Sequence, residues 1–294
     1  MTKKKKKKLK LKKKNFTILL IIIFVPLILI INLITPNKEE KTNKKLTKEE
    51  IKLKKLNNID KKINYFDYEK INRYIKYKEE NPNLKIEKII TEVNIGLDYP
   101  YYENTERATN LNNPNILVNK YYYLAKNYVP KNLEEIDSNY ALEGMKLVNY
   151  AKDAFESMAK DAKKDGYEII VMSSYRSYDY QSKLYDRYVS EDGKEKADTY
   201  SGRPGHSEHQ TGLAVDIYNG EKEYTKFEET KEFDWMKEHA HEYGFILRFP
   251  KNKEKETGYQ YESWHYRYVG TKVANYINKN KISLEEYIAQ KINK

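Results

Sequence analysis

The sequence predicts an α+β domain, a small and mostly antiparallel sheet flanked by helices, set behind one N-terminal transmembrane helix and a charged stalk. Three observations carry that expectation. Residues 16–35 form an uncharged apolar run. One strongly amphipathic helical pattern falls in the middle of the chain, and several short apolar segments bounded by Gly, Asn or Pro follow it. Helical patterns that precede a cluster of short strands favour α+β over an alternating βα architecture.

The N-terminus divides by composition. Ten lysines lie between Lys3 and Lys14, so a chain with 55 basic and 44 acidic residues is left with 45 basic residues beyond its tail. The net charge of +11 is therefore a property of residues 1–15, a basic cytoplasmic tail, and not of a folded surface. This argues against nucleic acid as a partner. Residues 16–35 are 20 residues without a charge, enough as a helix to cross about 30 Å of hydrocarbon. No small-residue cleavage site follows at Ile34-Thr35-Pro36-Asn37. An uncleaved signal-anchor is the expectation and a cleaved leader the alternative. Lysines ahead of the span place the N-terminus in the cytoplasm and the rest of the chain outside, at the cell membrane. The chain has no cysteine, so neither a disulfide framework nor a lipidated cysteine is available.

Residues 36–85, rich in Lys, Glu and Asn, read as a partly helical stalk or as a small helical module that contacts a partner, and the folded domain is expected over 86–294. Asn115–Val118 is a strand candidate. Leu147, Val148, Ala151, Ala154, Phe155, Met158, Ala159 and Ala162 recur at helical spacing, with Lys163-Lys164 suited to the helix end and Gly166 to the residue beyond it. Strands are expected at 167–172, 213–218, 245–249 and 264–269, and helices at 179–189 and 233–243.

Two segments carry the chemistry. Ser207-Glu208-His209-Gln210-Thr211-Gly212-Leu213-Ala214-Val215-Asp216 offers an imidazole and a carboxylate, and Glu262-Ser263-Trp264-His265 a second pair. Two imidazoles, one ligating carboxylate and one spare carboxylate are the inventory of a catalytic zinc centre, which uses three protein ligands and keeps a position open for water. His209 and Asp216 reach one ion only if the chain bends at Gly212, which glycine permits. Asp216 taken alone is equally an ordinary strand-end residue. However, a carboxylate directly after Leu-Ala-Val needs a partner, and a cation is one. Glu262 and His265, three apart, face opposite sides of a regular strand and share a site only if the backbone turns at Ser263. Otherwise they are a surface glutamate and a half-buried histidine. His206 is the rival ligand. His239 and His241, two apart on a helix, point about 200° from each other and do not chelate one ion.

Ser207-x-His209-x-x-Gly212-x-Ala214-x-Asp216 followed by Glu262-x-Trp264-His265 resembles the signature of the VanY-type D-alanyl-D-alanine carboxypeptidases, zinc metallopeptidases related to the lysostaphin and hedgehog zinc folds. Leu117-Val118-Asn119-Lys120, Tyr128-Val129-Pro130, Ser174-Tyr175-Arg176-Ser177, Tyr243–Pro250 and Trp264–Gly270 agree with it in order. The resemblance implies Zn2+ on His209, Asp216 and His265, with Glu262 as general base. It also implies Arg176 as an electrostatic catalytic residue that grips substrate, with Gln181 and Ser207 lining the peptide pocket. The implied activity is a D,D-carboxypeptidase that removes the terminal D-alanine of peptidoglycan stem peptides or their precursors. An L,D-carboxypeptidase, an endopeptidase and a zinc-stabilised binding module are the alternatives. Oligomeric state is not legible.

Overall fold

A computed structural model describes residues 63–291. The tail, the apolar run at 16–35 and most of the expected stalk lie outside the described residues. Among those described, no helix is long and apolar enough to cross a membrane.

Helices α1 (Ile71–Glu80) and α2 (Ile86–Ile95) come first. Tyr74 and Tyr77 of α1 bury against Ile89, Ile90 and Val93 of α2, and Ile63 joins the cluster. The described part of the expected stalk, 63–85, is thus packed chain, and the folded unit starts well before residue 86. The charged face of α1 conceals this in the sequence, because only one stripe of it is apolar. Gly96 ends α2 in the left-handed conformation, φ 106°, its N–H bonded to the Glu92 and Val93 carbonyls.

Short strands β1 (Glu106–Arg107) and β2 (Tyr122–Tyr123) pair in parallel, and β3 (Leu133–Glu135) pairs antiparallel with β4 (Lys146–Val148). The segment 115–118, expected as a strand, is not one. Ile116 and Val118 are buried, but the Pro114 and Ile116 carbonyls accept the Arg267 guanidinium instead of a ladder. Helix α3 (Asn149–Lys164) buries Ala151, Phe155, Met158, Ala159 and Ala162, the stripe read from the sequence.

The main sheet comprises β5 (Ile170–Ser173), β6 (Ala214–Tyr218), β7 (Phe245–Phe249) and β8 (Glu262–Tyr268) in the order β5-β6-β8-β7, antiparallel throughout. Between β5 and β6 run α4 (Tyr178–Asp192) and α5 (Lys194–Tyr200). Helix α6 (Lys231–His239) precedes β7, short α7 (Glu254–Thr257) precedes β8, and α8 (Thr271–Asn280) and α9 (Leu284–Lys291) close the chain. Val215 and Ile217 of β6, Phe245 of β7 and Tyr266 of β8 share one core with α3. Strand residues alternate faces, so Asp216, Arg248, His265 and Arg267 belong to the other face. On that side Ile246 packs with Val273 and Ile277 of α8 and Leu284 of α9. Each large side chain buried this fully contributes about 1.5–3 kcal/mol.

Candidate metal centre

Three local devices assemble the site. The first is a single 3-10 turn over Glu208–Thr211, closed by Gly212 at φ 67°, ψ 23°. It turns the chain into β6 and presents His209 over the sheet. The second is register: Asp216 stands directly opposite His265 across β6 and β8. The third is a bulge. Phe249 pairs with Glu262 and Leu247 with Tyr266, so β8 spends four residues where β7 spends two. That irregularity brings Glu262 to the face of His265 despite the three-residue spacing.

His209 Nδ1 donates to the Ser174 carbonyl at 2.7 Å, which leaves Nε2 facing Asp216 Oδ2 at 3.4 Å. His265 is arranged the other way round. Its Nε2 donates to Glu208 Oε1 at 2.8 Å, which leaves Nδ1 facing Asp216 Oδ1 at 3.0 Å. Neither facing pair has hydrogen-bond geometry, and Oδ1 is buried without a hydrogen-bond partner. One ligand atom from each of the three residues lies within 4.8 Å of the others. Tetrahedral zinc with ligands at about 2.0–2.1 Å sets those ligands about 3.3 Å apart. His209 Nε2 and His265 Nδ1 stand 3.4 and 3.0 Å from the two different oxygens of Asp216, close to that separation, so the carboxylate lies between two imidazole lone pairs as a ligand set for such an ion requires.

Electrostatics agree with that fit. Burial pushes the Glu262 carboxyl up to about 8, with Asp216 and Glu208 adding to the rise and His265 and Arg176 opposing it. Burial would raise Asp216 too, but His209 and His265 outweigh it and hold the carboxyl well below the usual range. His209 is lowered, chiefly by burial and then by Arg176. Burial opposes protonation of His265, yet Asp216 and Glu208 on either side push it up to about 9. Glu262 Oε2 lies 3.5 Å from His265 Nδ1, beside the point where the ligand atoms converge.

A cleft of about 710 Å³ opens over this point, lined among others by Arg176, Ser207, Glu262 and Trp264. Arg176 Nη1 lies 3.4 Å from Ser173 Oγ and 3.7 Å from Asp216 Oδ2, while its Nε is buried without a partner. The guanidinium thus borders the cleft with one buried donor that has no protein partner. Gln181 departs from its expected place. It is buried, absent from the cleft lining, and its Nε2 donates to the Gly202 carbonyl at 2.7 Å and to Ser201 Oγ at 3.3 Å. It braces the loop behind the wall. His206 is no ligand of this cluster: Nδ1 meets the Asn119 carbonyl at 2.8 Å, and the ring sits between Tyr102 and Tyr123. His239 pairs with Glu242 at 3.0 Å, outside the cluster.

Glu208 is the residue that motif reading passed over. Its carboxylate is buried, bonded to His265 and to two arginines, Arg248 at 2.9 Å and Arg267 at 3.0 Å. A signal for it does exist in the sequence. Arg248 and Arg267 each interrupt an apolar strand, and a buried arginine requires an acid.

An antiparallel sheet carrying a His-Asp-His cluster, a spare carboxylate with a raised pKa and a guanidinium in one cleft defines a metal-dependent hydrolase. The profile of the VanY family, described as D-alanyl-D-alanine carboxypeptidase, matches residues 144–271. The putative carboxypeptidase YodJ of Bacillus subtilis (strain 168) is 44% identical over 197 residues, covering 65% of this chain and 72% of YodJ. Among solved structures, the LD-carboxypeptidase LdcB is 43% identical with a TM-score of 0.60, over 64% of this chain and 91% of LdcB. The D,D-pentapeptidase VanY of a VanB-type vancomycin resistance cassette, solved in complex with Zn(II), is 33% identical with a TM-score of 0.53, over 60% of this chain and 98% of that one. The chain belongs to the VanY D-alanyl-D-alanine carboxypeptidase family. It is a metal-dependent peptidoglycan carboxypeptidase of that type.

Proposed function

We propose that this protein hydrolyses the C-terminal peptide bond of peptidoglycan stem peptides and releases D-alanine, with zinc held by His209 Nε2, Asp216 and His265 Nδ1. The observation that carries the reading is the convergence of those three donors beside Glu262. Zinc bound there supplies Lewis acidity to the attacking water and to the scissile carbonyl. Glu262 takes a proton from that water and delivers it to the departing amine, a role suited to a carboxylate that lies 3.5 Å from His265 Nδ1, beside the three ligands but not among them. Arg176 serves the substrate's terminal carboxylate or the developing oxyanion, because its planar fork matches paired oxygens. Ser207 lines the same cleft.

Two substrates fit the reading. Cleavage between two D-alanines of a pentapeptide is favoured by the family profile and by the likeness to the D,D-pentapeptidase VanY. Cleavage of a tetrapeptide after its third residue is favoured by the greater identity to LdcB. The test is incubation of the zinc-loaded protein with each muramyl peptide, with and without a chelator, read by mass spectrometry. Chelator-sensitive loss of one alanine from the pentapeptide alone assigns D,D activity, and from the tetrapeptide alone L,D activity. Loss from neither refutes the reading. The expected anchor at 16–35 would hold the domain against the outer face of the cell membrane, where protease added to intact cells should remove it.

A further inference from the structure

Two of the three ligands are histidines, and the structure treats them differently. His209 is oriented by a backbone carbonyl, that of Ser174. His265 is oriented by a side chain that is itself clamped. Glu208 Oε1 accepts from His265 Nε2 at 2.8 Å, and Oε2 accepts from Arg248 Nε at 2.9 Å and from Arg267 Nη1 at 3.0 Å. Both oxygens are thereby committed to donors that cannot shift. Arg248 is fixed from behind by a two-pronged pairing with Glu285 of α9, at 2.9 and 2.6 Å. Arg267 is fixed by the Pro114, Ile116 and Tyr268 carbonyls. All four charged side chains are essentially without solvent exposure.

Resting on the zinc reading above, we infer that Glu208 is a positioning residue for the metal centre. It holds the proton of His265 on Nε2 and so presents Nδ1 to the ion. The argument is geometric. An imidazole has one lone pair to give, and which nitrogen gives it is decided by the partner of the other nitrogen. An unclamped glutamate would leave the ring free to flip about χ2. Glu208 cannot follow such a flip, because Arg248 and Arg267 fix its other oxygen. Charge balance supports the assignment: Glu208 and Glu285 offset Arg248 and Arg267, so the clamp adds no net charge beside the ion. The placement is also economical in sequence, since the turn that presents His209 as one ligand carries, one residue earlier, the group that orients another.

Two measurements test this. The first uses the unaltered protein, loaded with zinc and labelled with 15N at histidine. Nuclear magnetic resonance should show the His265 ring proton on Nε2 and protected from exchange, with Nδ1 metal-bound; coordination through Nε2 overturns the inference. The second is zinc affinity by chelator competition in the full chain for Glu208→Gln, with Phe155→Ala as a core variant of comparable instability. Glu208→Gln should bind zinc about 10–100-fold more weakly, and the absorption spectrum of its cobalt-substituted form should shift, while Phe155→Ala keeps both. Unchanged affinity in Glu208→Gln, or an equal loss in Phe155→Ala, overturns the inference. Neither readout depends on turnover, so an inactive protein that binds zinc normally would count against the proposed function and leave Glu208 in place.

Discussion

Replacing Arg248 by methionine removes the central cation of the buried clamp while keeping most of the side-chain volume. The guanidinium makes three charged hydrogen bonds, one to Glu208 at 2.9 Å and two to Glu285 at 2.9 and 2.6 Å. Once it is gone, Glu208 still has His265 and Arg267, but Glu285 retains only Asn119 Nδ2 at 3.2 Å. One carboxylate is then buried without a counter-charge, an alteration that costs about 3–5 kcal/mol. For a folded unit of this size each kcal/mol shifts Tm by about 2–4 °C, so Arg248→Met should unfold about 6–20 °C lower.

Thermal unfolding followed by near-ultraviolet circular dichroism, with chelator present so that zinc binding adds nothing to stability, measures the loss. The double variant Arg248→Met/Glu285→Leu removes both members of the outer pair and leaves Glu208 with Arg267. It should recover most of the stability, because replacing a whole buried pair by apolar groups is often neutral. A single variant that loses less than about 1 kcal/mol, or a double variant that loses the sum of the two singles, would refute the reasoning.

Three further outcomes follow from named contacts. Glu262→Gln should lower kcat by about 10²–10⁴ while the protein still binds one zinc by chelator competition, since the carboxylate moves protons and is not among the three ligands. Gly212→Ala should lose about 2–4 kcal/mol in urea unfolding: the residue sits at φ 67°, and its Cβ would lie 2.8 Å from Leu133 Cδ2 and 3.1 Å from Val148 Cγ2. His206 is lowered by burial, with the Asn119 carbonyl opposing and Arg203 adding to the effect. The unfolded chain therefore takes up a proton first as pH falls. The contribution of His206 is fully present above about 6.5 and is lost as pH falls from there through the lower folded value. The Tm gap between the native protein and His206→Gln should shrink over that window, and a constant gap counts against it.

Much of the site was legible because its pieces are local. Gly212 as a bend, Asp216 at the end of Leu-Ala-Val and the strand at 245–249 stand where the sequence puts them. The Glu262–His265 spacing demanded an irregular backbone, and the bulge in β8 supplies it. What escaped depends on contacts distant in sequence. The apolar segment 115–118 has the composition of a strand, but its Ile116 carbonyl answers Arg267, 151 residues away. Gln181 lies on the expected helix, yet its amide turns inward to Gly202. Glu208 reads as one more surface glutamate until Arg248 and Arg267 are seen as buried cations in need of it. Helices α8 and α9 went unread because each sets only a short apolar stripe among polar residues, Lys and Asn in α8 and Glu, Gln and Lys in α9.

The charge balance of the site explains why these distant contacts are needed. On the sheet face of His265, Glu208 and Glu285 are matched by Arg248 and Arg267, a neutral set. The centre itself is not matched: Asp216 and Glu262 are buried carboxylates, and Arg176 is the guanidinium beside them, 3.7 Å from Asp216. Buried charge of one sign costs free energy until something cancels it. Without a metal the centre answers with protons, which is why Glu262 rises to about 8 and His265 to about 9 while Asp216 stays ionised. A divalent cation cancels the same charge without using up the base, and it leaves Glu262 free to move a proton during turnover. The clamp's neutrality then has a function of its own. Were Glu208 uncompensated, its buried charge would favour the doubly protonated ring of His265, which has no lone pair to give. With two arginines upon it, Glu208 directs the ring while Asp216 keeps the ion.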